Sequence, residues 1–127
     1  MRTAKLTVNG SEHLLCFSAR VLRAVTERYG GMDKLSDALD GGEPAKSMDE
    51  AFWVLSAMMD AGARYARHEG LDNPEPLTVE DLYDLCDISD FSGLKGKIAE
   101  TITAGRKATV EAEPSKNADA TRGKESG

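Results

Sequence analysis

Residues 5–29 read KLTVNGSEHLLCFSARVLRAVTERY and predict a β-hairpin that runs directly into a helix. Apolar and polar residues alternate over Leu6–Val8, and Asn9-Gly10 is the pair preferred in a type I′ turn, where both central residues take positive φ. A return strand over 11–16 then leads to Ser18, a typical N-cap residue. Because a two-stranded hairpin is marginal in water, we expect it to pack on helices in one compact unit.

The size and composition of the chain indicate a single soluble domain. Its 127 residues are enough to bury a core, and its longest apolar run is far shorter than the ~20 residues of a membrane span. The N-terminus lacks the apolar stretch of a signal peptide, so we expect no export. The net charge of −6 argues against nucleic acid as the main partner. Cys16 and Cys86 are expected to be reduced, partly buried thiols of a cytoplasmic protein.

Periodicity predicts a bundle of four to five helices after the hairpin. The first helix begins after Ser18 and is followed by a short one with two inward leucines. The third is the central helix: Ser47 and Glu50 form a capping box at its start, and Gly70 stops it. The inward positions expected in these helices are Ala19, Leu22, Val25 and Tyr29 in the first, Leu35 and Leu39 in the second, and Ala51, Phe52, Val54, Leu55, Met58, Met59, Gly62, Tyr65 and Ala66 in the third.

Two shorter helical segments are predicted nearer the C-terminus. Thr78 caps a fourth helix after a proline-containing loop, and a fifth begins near Ser89 or Ser92 and ends around Gly105. Residues 111–127 carry no large apolar side chain, so we expect a disordered polar tail that brief proteolysis removes from a folded domain at 1–110. The predicted fold class is mainly α (α+β). Inward positions are Val79, Leu82, Tyr83 and Cys86 in the fourth helix and Phe91, Leu94, Ile98 and Ile102 in the fifth.

Acidic residues dominate the segment between Arg67 and Lys95, which contains no Lys or Arg. This acidic block has two interpretations. It attracts a basic partner electrostatically, or, as we favour, its side chains are solvated and lie near helix N-termini. Carboxylates recurring every third residue over 81–90 can bind Mg²⁺ or Ca²⁺, but the calcium-loop motif is missing. The two histidines lie far apart in sequence, so they do not predict a His/Cys metal site. We therefore predict no metal, no cofactor and a melting temperature that a chelator leaves unchanged.

No residue pattern predicts catalysis, so we expect a non-enzymatic protein whose candidate residues serve binding. Trp53 falls on the polar side of the third helix, with Asp60 and Arg64. It is either a partly exposed contact for a client or a second subunit, or a core residue covered by the hairpin or a neighbouring helix. Met58 and Met59 are either an adaptable binding surface or core filler.

Three segments together resemble the tail assembly chaperones of long-tailed bacteriophages and prophages. They are the hairpin and first helix at 6–35 (from LTVNG to RYGGMDKL), DAGARYARHEG at 60–70, and PLTVEDLYDL at 76–85, followed by a helix ending in TAGRK at 103–107. The likeness covers roughly residues 3–110 in the same order.

The resemblance implies a non-enzymatic protein of the infected host's cytoplasm that is not part of the mature virion. Such proteins bind the long helical tape measure protein, keep it soluble and help tail tube subunits polymerise around it. Candidate partners are therefore the tape measure protein, the major tail tube protein and a second copy of this chain. Many family members are also made in a longer frameshifted form.

Two other functions remain open at this stage. One is a structural tail or head–tail completion protein that stays in the virion. The other is a small enzyme or metal-dependent regulator that uses the carboxylates of residues 69–90. A tape measure gene immediately downstream would distinguish the chaperone from both.

Overall fold

The computed structural model describes residues 3–112, except for the side chains of Ile88, Ser92 and 107–112. Within this range the chain forms a two-stranded hairpin and five helices, which confirms the predicted mainly α fold with an N-terminal β-hairpin. The predicted disordered tail lies outside the described residues from position 113 onward. The elements are β1 (Thr3–Val8), β2 (Ser11–Cys16), α1 (Ala19–Tyr29), α2 (Met32–Asp40), α3 (Pro44–Glu69), α4 (Val79–Leu85) and α5 (Ile88–Ala112).

The hairpin has the turn and register that its sequence predicts. Strands β1 and β2 pair antiparallel, with Val8 opposite Ser11 and Leu6 opposite His13. The turn residues Asn9 and Gly10 have φ values of 50° and 82°, the positive values that a type I′ turn requires. Ala4, Val8, His13 and Leu15 are buried.

The hairpin lies between two long helices. Strand β2 packs on α3 and β1 packs on α5. The outer edge of β2 is covered as well, because the backbone N–H of Leu14 donates to Oδ1 of Asn73 at 2.9 Å. Asn73 belongs to the segment between α3 and α4, so this bond pins that segment against the strand. The bond gives one backbone N–H at the unpaired edge of β2 a partner, which makes that edge less available for pairing with another strand.

Helix α3 is the centre of the core, as its wide apolar arc predicts. It contacts β2 and each of the other four helices. Of the nine inward positions expected on it, eight are buried and Tyr65 is half-buried. Gly70 ends the helix in the left-handed conformation, with φ of 70°. The predicted inward residues Leu35, Leu39, Leu82, Leu94 and Ile98 are buried in the neighbouring helices.

The predicted start of α3 is wrong. The helix begins at Pro44, a favourable first helical residue because proline lacks the N–H that the first turn leaves unsatisfied. Ser47 is therefore inside the helix and buried, and its hydroxyl donates to the carbonyl oxygen of Leu39 at 2.6 Å. Glu50 makes no capping box and instead reaches across to α1.

Several further expectations are corrected by packing. Ala19 and Tyr83, both expected to face inward, are exposed. In α1, Val21 is buried while Leu22 is 43% exposed, so the helix is rotated from the face that its periodicity predicts. Helix α5 begins at Ile88 and continues past Gly105 to Ala112. Gly105 does not stop the helix. It allows a close contact instead, because a Cβ at this position would lie 2.6 Å from the carbonyl oxygen of Phe17.

Candidate partner-binding surface around Trp53

Trp53 lies half-buried on α3, with one side covered by the end of α1. The ring of Tyr29 meets the indole edge to face, with centroids 5.8 Å apart and planes at 85°. The guanidinium carbon of Arg28 lies 4.5 Å from the centroid of the indole, a cation–π contact. Helix α1, rather than the hairpin, therefore covers this side of Trp53.

Arg28 and Tyr29 are held by a single carboxylate of α3. Nε of Arg28 lies 3.0 Å from Oε1 of Glu50, and the hydroxyl of Tyr29 donates to the same oxygen at 2.5 Å. Nε of Arg28 also lies 3.2 Å from the Tyr29 hydroxyl oxygen. The glutamate side chain is only 13% exposed. The three groups form one network that ties the last turn of α1 to α3 beside Trp53.

The charge states of this network follow from its contacts. Burial on its own would raise the pKa of Glu50, but the hydrogen bonds from Tyr29 and Arg28 and the positive charge of Arg28 outweigh it and lower that pKa. Burial, followed by the bond to Glu50, raises the pKa of Tyr29 well above its ordinary value. At neutral pH the network therefore contains a carboxylate, a guanidinium and a protonated phenol.

The other side of Trp53 lines an open groove of about 420 Å³. Its second wall is the segment 76–79, which leads into α4. This wall is held in place because the hydroxyl of Ser56 donates to the carbonyl oxygen of Leu77 at 2.7 Å. Asp60 also lines the groove and pairs with Arg64 at 2.9 Å. The groove thus presents an aromatic ring and an aliphatic side chain with a carboxylate nearby.

Met58 and Met59 do not contribute to this surface. Both side chains are completely buried in the core, which corrects their assignment as partner-binding residues and leaves the core interpretation. The helix face that carries them points into the bundle, because β2 and the other helices pack around α3. Trp53 alone of the three sequence-predicted binding residues lies at the surface.

The acidic block serves partly as helix caps, which is the interpretation favoured from the sequence. Thr78 and Asp81 form a reciprocal capping box at the start of α4. Oδ2 of Asp90 accepts the backbone N–H of Asp87 at 3.0 Å, next to the start of α5. Among the residues whose side chains are described, no three His, Cys, Asp or Glu side chains converge in a way that could hold a metal ion.

Of the remaining chemically reactive side chains, Cys16 and His68 line the same groove, between the start of α1 and the second half of α3. Cys16 is buried and Cys86 is half-buried, and they do not form a disulfide. Burial and the nearby Asp90 and Asp87 raise the pKa of the Cys86 thiol, which makes it a poor nucleophile at neutral pH. His13 lies on β2 and is 2% exposed, and burial lowers its pKa. His68 is exposed near the end of α3.

Sequence reasoning did not identify Arg28, Tyr29, Glu50 and Leu77 as neighbours of Trp53. Positions 28 and 53 lie on different helices, and their contact depends on how α1 crosses α3. No pattern within either helix encodes that crossing. The one usable signal was a tryptophan on an otherwise polar helix face, which left open whether the residue is exposed or buried. In the structure it is half-buried and packs against the core.

The chain was compared with known proteins, and no family model, curated protein sequence or solved structure matches it. Within residues 3–112, none of the helices combines the length and the hydrophobicity that crossing a membrane requires.

Proposed function

We propose that this protein is a non-enzymatic tail assembly chaperone of a long-tailed phage or prophage. It acts in the host cytoplasm, binds the tape measure protein before the tail tube polymerises around it, and is absent from the mature virion. The sequence resemblance over residues 3–110 suggests this function, and the groove beside Trp53 is the observation that supports it. That groove is an open surface with an aromatic ring on one wall and Leu77 on the other.

The Trp53 groove has the properties of a site for an apolar side chain of a helical client. Tryptophan is enriched at binding hot spots because it contributes a large apolar area at a small cost in conformational entropy. Here Arg28 and Tyr29 already hold the indole in one orientation, so little freedom is lost on binding. A client helix would place one apolar residue between Trp53 and Leu77, the helix-in-groove mode of recognition.

Co-expression with fragments of the tape measure protein from the same phage or prophage tests this function. The wild-type chain is expected to raise the soluble yield of the fragments. Trp53→Ala and Leu77→Ala are expected to reduce that gain. Leu71→Ala is the matched control for the leucine variant, because Leu71 is 52% exposed and does not line the groove.

Trp53 also reports binding directly, since it is the only tryptophan in the chain. Its emission is expected to shift to the blue when a soluble tape measure fragment is added, because the open side of the indole then loses contact with water. A wild-type chain that leaves every fragment insoluble contradicts the chaperone function. Detection of the chain in purified virions would instead support a structural tail component.

A further inference from the structure

A second surface carries a charge opposite to that of the whole chain. A basic groove runs between the start of α1 and the second half of α3, and its lining includes Arg20, Arg64, Arg67 and His68. The chain as a whole has a net charge of −6. Among the described residues, no Asp or Glu lines this groove, although Arg64 pairs with Asp60 at 2.9 Å.

An apolar groove adjoins the basic one. Both are lined by Ser18 and Ala19, so they meet at the first turn of α1. The apolar groove continues along Phe17, Leu22 and Met32, and Arg106 of α5 closes it. Again, no acidic residue of the described chain lines it.

Leu22 gives the apolar groove its accessible hydrophobic surface. It is 43% exposed, although helical periodicity places it on the inward face of α1, because Val21 and Val25 take the buried positions. Next to Leu22 in this groove, α5 packs closely against Phe17, because Gly105 is buried and has no side chain. A large aliphatic side chain is therefore accessible in the apolar groove, which Arg106 borders and which adjoins the basic groove at Ser18 and Ala19.

From these features we infer that the joined grooves are a second client site, separate from the Trp53 groove, and bind a client helix whose apolar stripe is bordered by carboxylates. The apolar stripe would cover Leu22, Phe17 and Met32. Carboxylates on one border would lie near Arg106, and those on the other near Arg20 and Arg67. This charge complementarity would favour acidic clients and reject basic ones, which an acidic chain would otherwise attract through its 69–90 segment.

Two other occupants fit the surface less well. Residues 113–127 of this chain contain no Leu, Ile, Val, Met or aromatic residue, so they have nothing to place over Leu22. A nucleic acid backbone would engage the arginines but would leave the apolar groove exposed to water. A client helix uses both halves of the surface.

This inference rests on the proposed chaperone function and adds the chemistry of the client. Two labelled peptides of about 18 residues test it, each with the same stripe of leucines at helical spacing. One has glutamates on both borders of the stripe, and the other has lysines. Fluorescence anisotropy with the full chain is expected to show that the glutamate peptide binds at least about tenfold more tightly. Its affinity is expected to fall as the salt concentration rises.

Matched variants locate the binding. Arg20→Glu, Arg106→Glu and Leu22→Gln are expected to weaken binding of the glutamate peptide at least about tenfold. Arg23→Glu is the control, because Arg23 lies on the same helix, pairs with Glu27 at 3.3 Å and does not line either groove. Circular dichroism of each variant shows whether it is folded. Equal affinity for the two peptides, or equal losses for Arg20→Glu and Arg23→Glu, overturns the inference.

The same variants separate this inference from the proposed function. If the wild type solubilises a tape measure fragment and Leu22→Gln and Arg20→Glu do so equally well, the chaperone function stands and this surface is not the client site. If single-stranded RNA binds through the same arginines and competes with the glutamate peptide, the basic groove is a nucleic acid site. If Leu22→Gln alters only the oligomeric state seen by sedimentation, the surface joins two copies of the chain. Each of these results contradicts the inference.

Discussion

The carbonyl oxygen of Leu14 on β2 lies so close to Gly62 on α3 that a Cβ at position 62 would be only 1.9 Å from it. The strand and the helix therefore meet backbone to backbone at this point. Ala61 and Ala63 beside it are also buried and small. Packing of the hairpin against the central helix depends on the absence of a side chain at residue 62.

Gly62→Ala is expected to destabilise the protein by about 3 kcal/mol, because neither the strand nor the helix backbone can move away from the added methyl group. Urea unfolding followed by circular dichroism measures this loss. Gly96→Ala is the control: a Cβ there meets no described atom within 4 Å, so the higher helix propensity of alanine should add up to about 1 kcal/mol to the free energy of unfolding. Equal effects of the two substitutions would show that the close contact is absent.

Ser18 and Thr78, the N-cap residues of α1 and α4, are expected to differ in their contribution to stability. The hydroxyl of Thr78 accepts the backbone N–H of Asp81 at 3.1 Å, whereas Ser18 makes no side-chain cap bond. Thr78→Ala should therefore cost about 1 kcal/mol and Ser18→Ala less than about 0.5 kcal/mol. Thermal unfolding of the two variants tests this order, and a larger loss for Ser18→Ala would reverse it.

His13 is expected to make the stability depend on pH. It is 2% exposed, its Nδ1 has no hydrogen-bond partner among the described residues, and burial lowers its pKa below the ordinary 6.5. The unfolded chain then binds a proton at a higher pH than the folded one. The stabilisation that the neutral His13 contributes to the free energy of unfolding is complete above pH 6.5. It is lost progressively as the pH falls below that value.

Urea midpoints at about pH 7.5 and pH 5.5 measure the effect of His13, because the ordinary pKa of carboxylates lies below this window. The midpoint of the wild type should be lower at the acidic pH. His13→Leu should remove most of that difference, and His68→Gln, at an exposed position, should keep it. A wild-type midpoint that does not change with pH would refute the prediction.

The network beside Trp53 is expected to stabilise the contact between α1 and α3. Tyr29→Phe removes the hydrogen bond to the ionised Glu50 and should cost about 1.5 kcal/mol. The phenylalanine ring keeps its contact with Trp53, so tryptophan emission should change little. Tyr83→Phe is the control: Tyr83 donates to Asp49 at an exposed site, and its loss should cost less than about 0.5 kcal/mol.

A double-mutant cycle of Tyr29→Phe and Glu50→Gln tests whether the two residues act together. Their effects should not add, with a coupling of about 1 kcal/mol, because they share one hydrogen bond. Strictly additive losses would mean that the bond does not contribute to the free energy of unfolding.

Local signals in the sequence were sufficient for most elements of the fold. The Asn9-Gly10 turn, the Gly70 helix stop and the Thr78 cap were all predicted correctly, because each depends on the conformational preference of one or two adjacent residues. The buried face of α3 was also predicted, since a helix surrounded by partners needs a wide apolar arc whatever those partners are.

Only the tertiary structure decided how the elements face one another. The hydroxyl of Ser47 reaches the Leu39 carbonyl instead of capping α3, and Val21 rather than Leu22 is buried in α1. Trp53 is half-buried because α1 crosses α3 where Arg28 and Tyr29 can cover one side of its ring. The physical reason is common to all three: periodicity and caps arise between residues a few positions apart, whereas these contacts join residues that become neighbours only when separate elements pack.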